Sequence, residues 1–172
     1  RAWEVVLGTG DLAGSFPVHQ RDRKTGRIFS IDDHPGYSLN PRGTLEKIPP
    51  RPAADRPYLR PKTSPYAVDC AHQPSLAFIP YLLTGEYYYL EEMHFWANWC
   101  MLTQNAAYRE KEKGLLAFDQ TRGEAWALRQ IVDAAKITPD YHHELTYSAD
   151  NNPVKEYFDS KVKTNLEYYN SF

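Results

Sequence analysis

Cysteine is scarce. The chain has two in 172 residues, Cys70 and Cys100. That excludes a disulfide-stapled scaffold, and their spacing makes neither a zinc-type cluster nor a CxxC redox pair. Cys100 follows Trp99 in an apolar pattern and reads as a small buried hydrophobe; sequence leaves open whether the two cysteines are bridged. No apolar run approaches the roughly 20 residues of a membrane-crossing helix, so no membrane span is expected. Neither sign of charge dominates, with 20 Lys and Arg against 22 Asp and Glu. A net charge of −2 supplies no basic field, which argues against a nucleic-acid partner, and basic residues are neutralised locally, as in Lys111-Glu112-Lys113. No G-x-S-x-G elbow, P-loop or HExxH occurs. No leader is read in the sequence as given, and it does not open on Met. The chain opens on Arg1-Ala2-Trp3 and stops inside a helical pattern at Tyr168-Tyr169-Asn170-Ser171-Phe172. Both ends read as cuts, so the chain is expected to be a piece of a larger domain, and its localisation stays unknown.

Aromatic residues and proline are plentiful, with 13 Tyr, 4 Trp and 13 Pro. Tyrosine offers ring area with a polar tip, which suits either wet contacts to carbohydrate or protein, or the edge of a core. The length is ample for one domain with a real core.

Two regions are expected. Residues 1–66 read as a strand-and-loop segment packing on helices, and residues 67–172 as a helical-hairpin region. In the first, Trp3-Glu4-Val5-Val6-Leu7 reads as a short strand closed by Gly8. Phe16-Pro17-Val18-His19-Gln20 and Arg27-Ile28-Phe29-Ser30-Ile31 read as the arms of a small β-hairpin, with Gly26 at a turn position that favours positive φ. Eight prolines between positions 35 and 65 then forbid regular structure. An ordered covering loop is the favoured reading there, docked by Tyr37, Tyr58 and Tyr66.

Helical periodicity follows. A helix is expected over residues 74–83, shortened or kinked by Pro80 and ended by Gly85 as a left-handed cap. A second, over 87–104, is apolar almost all round, with Glu91, His94 and Asn98 as a narrow polar stripe. A third, over 121–136, opens on a Thr121/Glu124 capping box, carries small residues at Ala125, Ala127, Ala134 and Ala135, and is stopped by Pro139. A fourth begins at Asn152-Pro153 and buries Val154, Phe158, Val162, Leu166 and Tyr169. The short Thr84-Gly85-Glu86 joint forces an antiparallel αα-hairpin. The fold class expected is therefore mainly α, antiparallel helical hairpins behind a small β-hairpin and a long Pro-rich loop.

Two motifs fail on context. Gly8-Thr9-Gly10-Asp11-Leu12-Ala13 fits a dinucleotide fingerprint, but Pro17 and a hairpin leave no room for the crossover helix that holds the pyrophosphate; it reads as a glycine-rich turn. His142-His143-Glu144 lacks the converging third and fourth ligands of a zinc site and reads as a solvated loop. No metal and no cofactor is expected.

One constellation survives. The first and third helices have the same parity in an up-down order, so their N-termini should share one end. The segments entering them, Asp69-Cys70-Ala71-His72-Gln73 and Phe118-Asp119-Gln120-Thr121-Arg122-Gly123-Glu124, are rich in groups that move protons or bind polar ligands. Asp69 and His72 can act as base and orienter, or Asp69 can simply tie down the loop. Asp119 and Glu124 make a carboxylate pair for acid/base work, or else a pre-helix turn and a cap. Arg122 and Arg129 share a helix face and can clamp a carboxylate or sulfate, or only pair with neighbouring acids. Trp99 and Trp126 are candidate platforms for sugar rings, as is Trp96, although core is the stronger reading for Trp96.

His72-Gln73-Pro74-Ser75-Leu76-Ala77, Tyr81-Leu82-Leu83-Thr84-Gly85-Glu86-Tyr87-Tyr88-Tyr89-Leu90 and Gln120-Thr121-Arg122-Gly123-Glu124-Ala125-Trp126-Ala127-Leu128-Arg129 carry a resemblance. Over His72 to Phe172 the chain resembles bacterial (α/α)-toroid proteins of the six-hairpin glycosidase-like kind. The resemblance implies a carbohydrate-active protein of glycoside hydrolase or polysaccharide lyase type, with a polysaccharide or oligosaccharide partner in a funnel at one end. It also implies that this chain is part of a toroid, since a closed one has about a dozen helices, and that it self-associates or contacts the remainder. The catalytic candidates are then Asp69, His72, Asp119 and Glu124, and the substrate-binding candidates Arg122, Trp126, Arg129 and Trp99. The competing reading is a non-catalytic helical-repeat module that binds a protein or glycan.

Overall fold

The computed structural model describes residues 1–40, 43–45, 66, 68–72, 74–116, 120–140 and 153–172. Among these residues the protein is mainly helical and has no β-strand. In chain order, α1 (Ala2–Asp11) runs into a 3₁₀ turn (Leu12–Ser15), then come α2 (Phe78–Thr84), α3 (Tyr87–Leu102), a 3₁₀ turn (Lys111–Lys113), α4 (Thr121–Ile137) and α5 (Val154–Tyr169).

The expected N-terminal strand is a helix. Val5 and Val6 favour extended backbone locally, but no neighbouring strand is present among the described residues to take its hydrogen bonds. A helix satisfies its own. The same change removes the glycine-rich turn: Gly8 and Gly10 lie inside α1. Gly10 is buried where α1 crosses α2 and α3, and a Cβ there would sit 2.6 Å from Pro80 Cγ and 2.8 Å from Tyr89 Cε1. Its missing side chain is what lets the helices approach.

The expected β-hairpin shrinks to one bridge between Arg21 and Ile28. Its turn is well formed. Asp22 Oδ1 accepts from the amides of Lys24 and Thr25, both at 2.8 Å, and Gly26 takes φ 70°. Those bonds hold the Asp22 carboxyl below its usual range, the Thr25 amide contributing most. The arms then leave each other because Val18, Ile28, Ile31 and Tyr37 turn into the core shared with the helices. Of the three tyrosines expected to dock the proline-rich stretch, Tyr37 is in that core. Tyr66 stands edge-on to Phe16 at 5.6 Å, and Tyr58 lies outside the described residues.

α2 starts at Phe78, so Pro80 falls in its first turn, where a missing N–H costs nothing. Gly85 closes it at φ 68°, and beyond the short joint α2 packs against α3. α3 is buried from Tyr89 to Leu102 except for Glu91. Its expected polar stripe is mostly interior: His94 and Asn98 are both buried.

These two residues belong to a continuous hydrogen-bonded chain. The Ile31 amide donates to Tyr157 Oη at 3.3 Å. Tyr157 donates to Asn98 Oδ1 at 2.6 Å, and Asn98 Nδ2 donates to His94 O at 2.9 Å. The Thr138 hydroxyl donates to Ala134 O at 2.7 Å. It has one proton, so His94 Nε2, 2.8 Å away, must be the donor to it. The chain links α3, α4, α5 and the N-terminal segment. Burial lowers the His94 pKa to about 3, so the ring is neutral. Burial raises that of Tyr157 well above 10, with Asp32 adding to the effect.

α4 is amphipathic, burying Gly123, Ala127, Gln130, Ile131, Ala134 and Ala135 against α3 and α5. Its capping box does not form. Gln120 is the N-cap residue and makes no side-chain cap bond, which places Thr121 inside the helix. In α5 the expected apolar stripe is rotated. Val154, Tyr157, Phe158, Lys161 and Asn165 are buried, whereas Leu166 is half exposed and Tyr169 is exposed. Asn165 earns its place by accepting from the Leu116 amide at 2.9 Å and donating to Gly114 O at 3.0 Å. Lys161 is paired with Asp32. Polar residues thus hold the seam because the neighbouring loops present backbone groups and a carboxylate that must be satisfied.

Candidate functional site

A cleft of about 280 Å³ opens between the segment before α2 and the first turn of α4, lined by Asp69, Cys70, Ala71, His72, Gln120, Arg122 and Gly123. The two helix-entry segments singled out from sequence therefore meet.

Local bonding explains how. Asp69 Oδ1 accepts from the Ala71 amide at 2.9 Å, a tight turn that folds the segment back on itself. Thr103 Oγ1 gives its proton to Cys100 O at 2.9 Å, so the Cys70 thiol donates to that oxygen across 3.5 Å. This ties the segment to the end of α3. Farther along, the Ser75 hydroxyl donates to Asp133 Oδ2 at 2.7 Å, fixing the approach to α2 along α4.

Within the cleft, Asp69 Oδ2 lies 2.5 Å from His72 Nδ1. A carboxylate on Nδ1 fixes a proton there and makes Nε2 the basic nitrogen of the neutral ring. Arg122 Nη2 is 3.4 Å from Gln120 Oε1, its guanidinium exposed at the cleft wall. Arg122 and Gly123 lie in the first turn of α4, where backbone N–H groups and the helix dipole favour negative charge. The cleft thus combines a histidine hydrogen-bonded to a carboxylate on one wall and an arginine on the other.

The remaining sequence candidates fare differently. Asp119, and the His142-His143-Glu144 stretch, lie outside the described residues. Glu124 accepts from Tyr169 Oη at 3.3 Å; partial burial and that carboxylate raise the Tyr169 pKa to about 12. Arg129 pairs with Asp133 at 3.6 Å and stands over the Trp126 ring at 5.4 Å. Neither Arg129 nor Trp126 lines the cleft. Trp99 is buried in the core, edge-on to Trp96 at 6.0 Å, so its ring is closed to a sugar. Among the described residues no group of three His, Cys, Asp or Glu is placed to hold a metal.

Sequence reasoning missed a second polar cluster on α3. His19 Nε2 lies 2.9 and 2.8 Å from the two oxygens of the buried Glu92. Arg21 donates to Glu91 at 2.7 Å and lies 4.8 Å over the Phe95 ring. Adjacent acids inside an otherwise apolar helix were the available signal, since a buried carboxylate requires a partner. The cluster clamps the N-terminal segment onto α3.

Compared with known proteins, the chain matches no protein-family model, no curated protein and no solved structure. No described helix is long and apolar enough to cross a membrane.

Proposed function

We propose that this chain is the cleft-bearing part of a carbohydrate-active protein of α/α-toroid type, acting on a saccharide that carries a carboxylate. One observation carries the reading: the Asp69–His72 pair faces the same cleft as Arg122. Arg122 would neutralise the sugar carboxylate by charge-assisted hydrogen bonds. Withdrawal of charge into that carboxylate acidifies the adjacent C–H, and His72 Nε2 would accept the proton while Asp69 stabilises the imidazolium. The electron pair of that C–H then forms a C=C bond as the glycosidic C–O bond on the next carbon breaks, and the departing oxygen takes a proton from solvent; hydrolysis would instead need a second carboxyl in the cleft.

The test uses the full protein that carries this chain, assayed on uronate-containing and neutral polysaccharides for unsaturated products and for new reducing ends. His72→Ala should lower turnover about 100-fold or more with folding intact by circular dichroism. Arg122→Ala should weaken acidic saccharide about tenfold and leave neutral saccharide unchanged. Turnover indifferent to both changes would sink the reading.

A non-catalytic binding module is the second reading. It is favoured by exposed aromatics at the end of α5, where Tyr168 stacks edge-on with Tyr169 at 5.5 Å and with Phe172 at 5.1 Å. Glycan binding without turnover, lost on Tyr168→Ala rather than on His72→Ala, would select it.

A further inference from the structure

The two cysteines, 30 positions apart in the chain, converge on one residue. Cys70 is bonded through its sulfur to the Thr103 hydroxyl, which is bonded in turn to the carbonyl of Cys100. Thr103 stands three residues beyond Cys100, at the end of α3, so the two side chains share a helix face. Cys70 also packs, half-buried, against the same core cluster that contains Cys100. Neither cysteine is in a disulfide. A pair of thiols brought near one another by tertiary structure, one lining a cleft and the other buried in the core, is the arrangement of an attacking and a resolving cysteine.

We propose that Cys70 and Cys100 form a reversible disulfide that staples the cleft segment, residues 69–72, to α3. The oxidant is a small-molecule disulfide. The Cys70 thiolate attacks one of its sulfurs, forming a mixed disulfide and expelling one thiolate, which takes up the proton Cys70 lost. Cys100 then attacks the Cys70 sulfur, its own proton going to the second thiolate released. Two protein thiols are oxidised to one disulfide, and one small disulfide is reduced to two thiols. The order of attack follows from environment. Cys70 borders the cleft, whereas burial, with Cys70 adding to it, holds the Cys100 thiol well above its ordinary pKa, so Cys100 reacts only once a mixed disulfide lies against it. Formation is therefore slow and reversible by thiol. The inference does not rest on the saccharide reading.

The test is incubation of the folded protein in glutathione buffers of graded redox ratio, followed by acid quench, alkylation and peptide mapping without reduction. The expected result is a Cys70–Cys100 linked peptide, with alkylatable thiols falling from two per chain to none, and amide exchange over residues 69–72 slowed severalfold. Cys70→Ser should leave Cys100 reduced throughout. Cys100→Ser should stop at a glutathione adduct on Cys70. Wild-type protein that stops at that adduct, or that keeps both thiols free at the most oxidising ratio, overturns the proposal. Because the wild-type map decides, a Cys100 variant that fails to fold does not blunt the test.

Discussion

Gly8 and Gly10 sit two residues apart in one helix and should respond oppositely to the same substitution. A Cβ at Gly10 meets the Pro80 ring at 2.6 Å, and a proline ring has no rotamer with which to yield. Gly10→Ala should therefore destabilise by about 1–3 kcal/mol through overpacking. At Gly8 nothing lies within 4 Å, so Gly8→Ala should stabilise by about 0.5–1 kcal/mol through helix propensity. Chemical denaturation of both variants checks the pair. Tyr157 offers a second residue-scale case. Tyr157→Phe keeps the ring but deprives Asn98 Oδ1 and the Ile31 amide of their shared partner. The expected loss is about 1–3 kcal/mol, read from the urea midpoint at unchanged m-value.

At the scale of elements, the four helices from α2 to α5 were legible because their signals are local. Gly85 ends α2, Pro139 follows α4, and Pro153 precedes α5. Gly85 is at φ 68° with open space around it, so Gly85→Ala should cost about 1 kcal/mol from backbone strain alone, with no change in cleft binding. Features that depend on what lies opposite were not legible. The Val5-Val6 run looks like a strand until no partner strand meets it. The α5 stripe read from apolar spacing is off by about one residue because the seam is closed by Asn165 and Lys161, whose value lies in the Leu116 amide, Gly114 O and Asp32. The cleft itself was half legible: helix parity brought Asp69, His72 and Arg122 to one end, but parity could not tell that Trp99 faces the core.

For the whole molecule, the buried His94 sets a pH response. Its pKa falls from 6.5 to about 3 on folding, so between those values the unfolded chain binds a proton that the folded one refuses. The stability conferred by the neutral ring is fully present above pH 6.5 and is lost as pH falls, by about 1.4 kcal/mol per pH unit in that window. Thermal unfolding between pH 6 and pH 4 should show that slope, and His94→Gln should flatten it while lowering the plateau. A slope unaltered in the variant would place the acid sensitivity elsewhere.

By itself the sequence determined the helical class, the ends of most helices and the two segments that face each other across the cleft. Those follow from caps, glycines, prolines and periodicity, whose physics acts within a few residues. Tertiary structure decided that the N-terminus is helical, which polar side chains are interior, how Asp69 holds His72, and that Cys70 reaches the end of α3. Each of these depends on groups far apart in the chain, and the free energy of a buried polar atom is fixed by the partner it meets rather than by its neighbours in sequence.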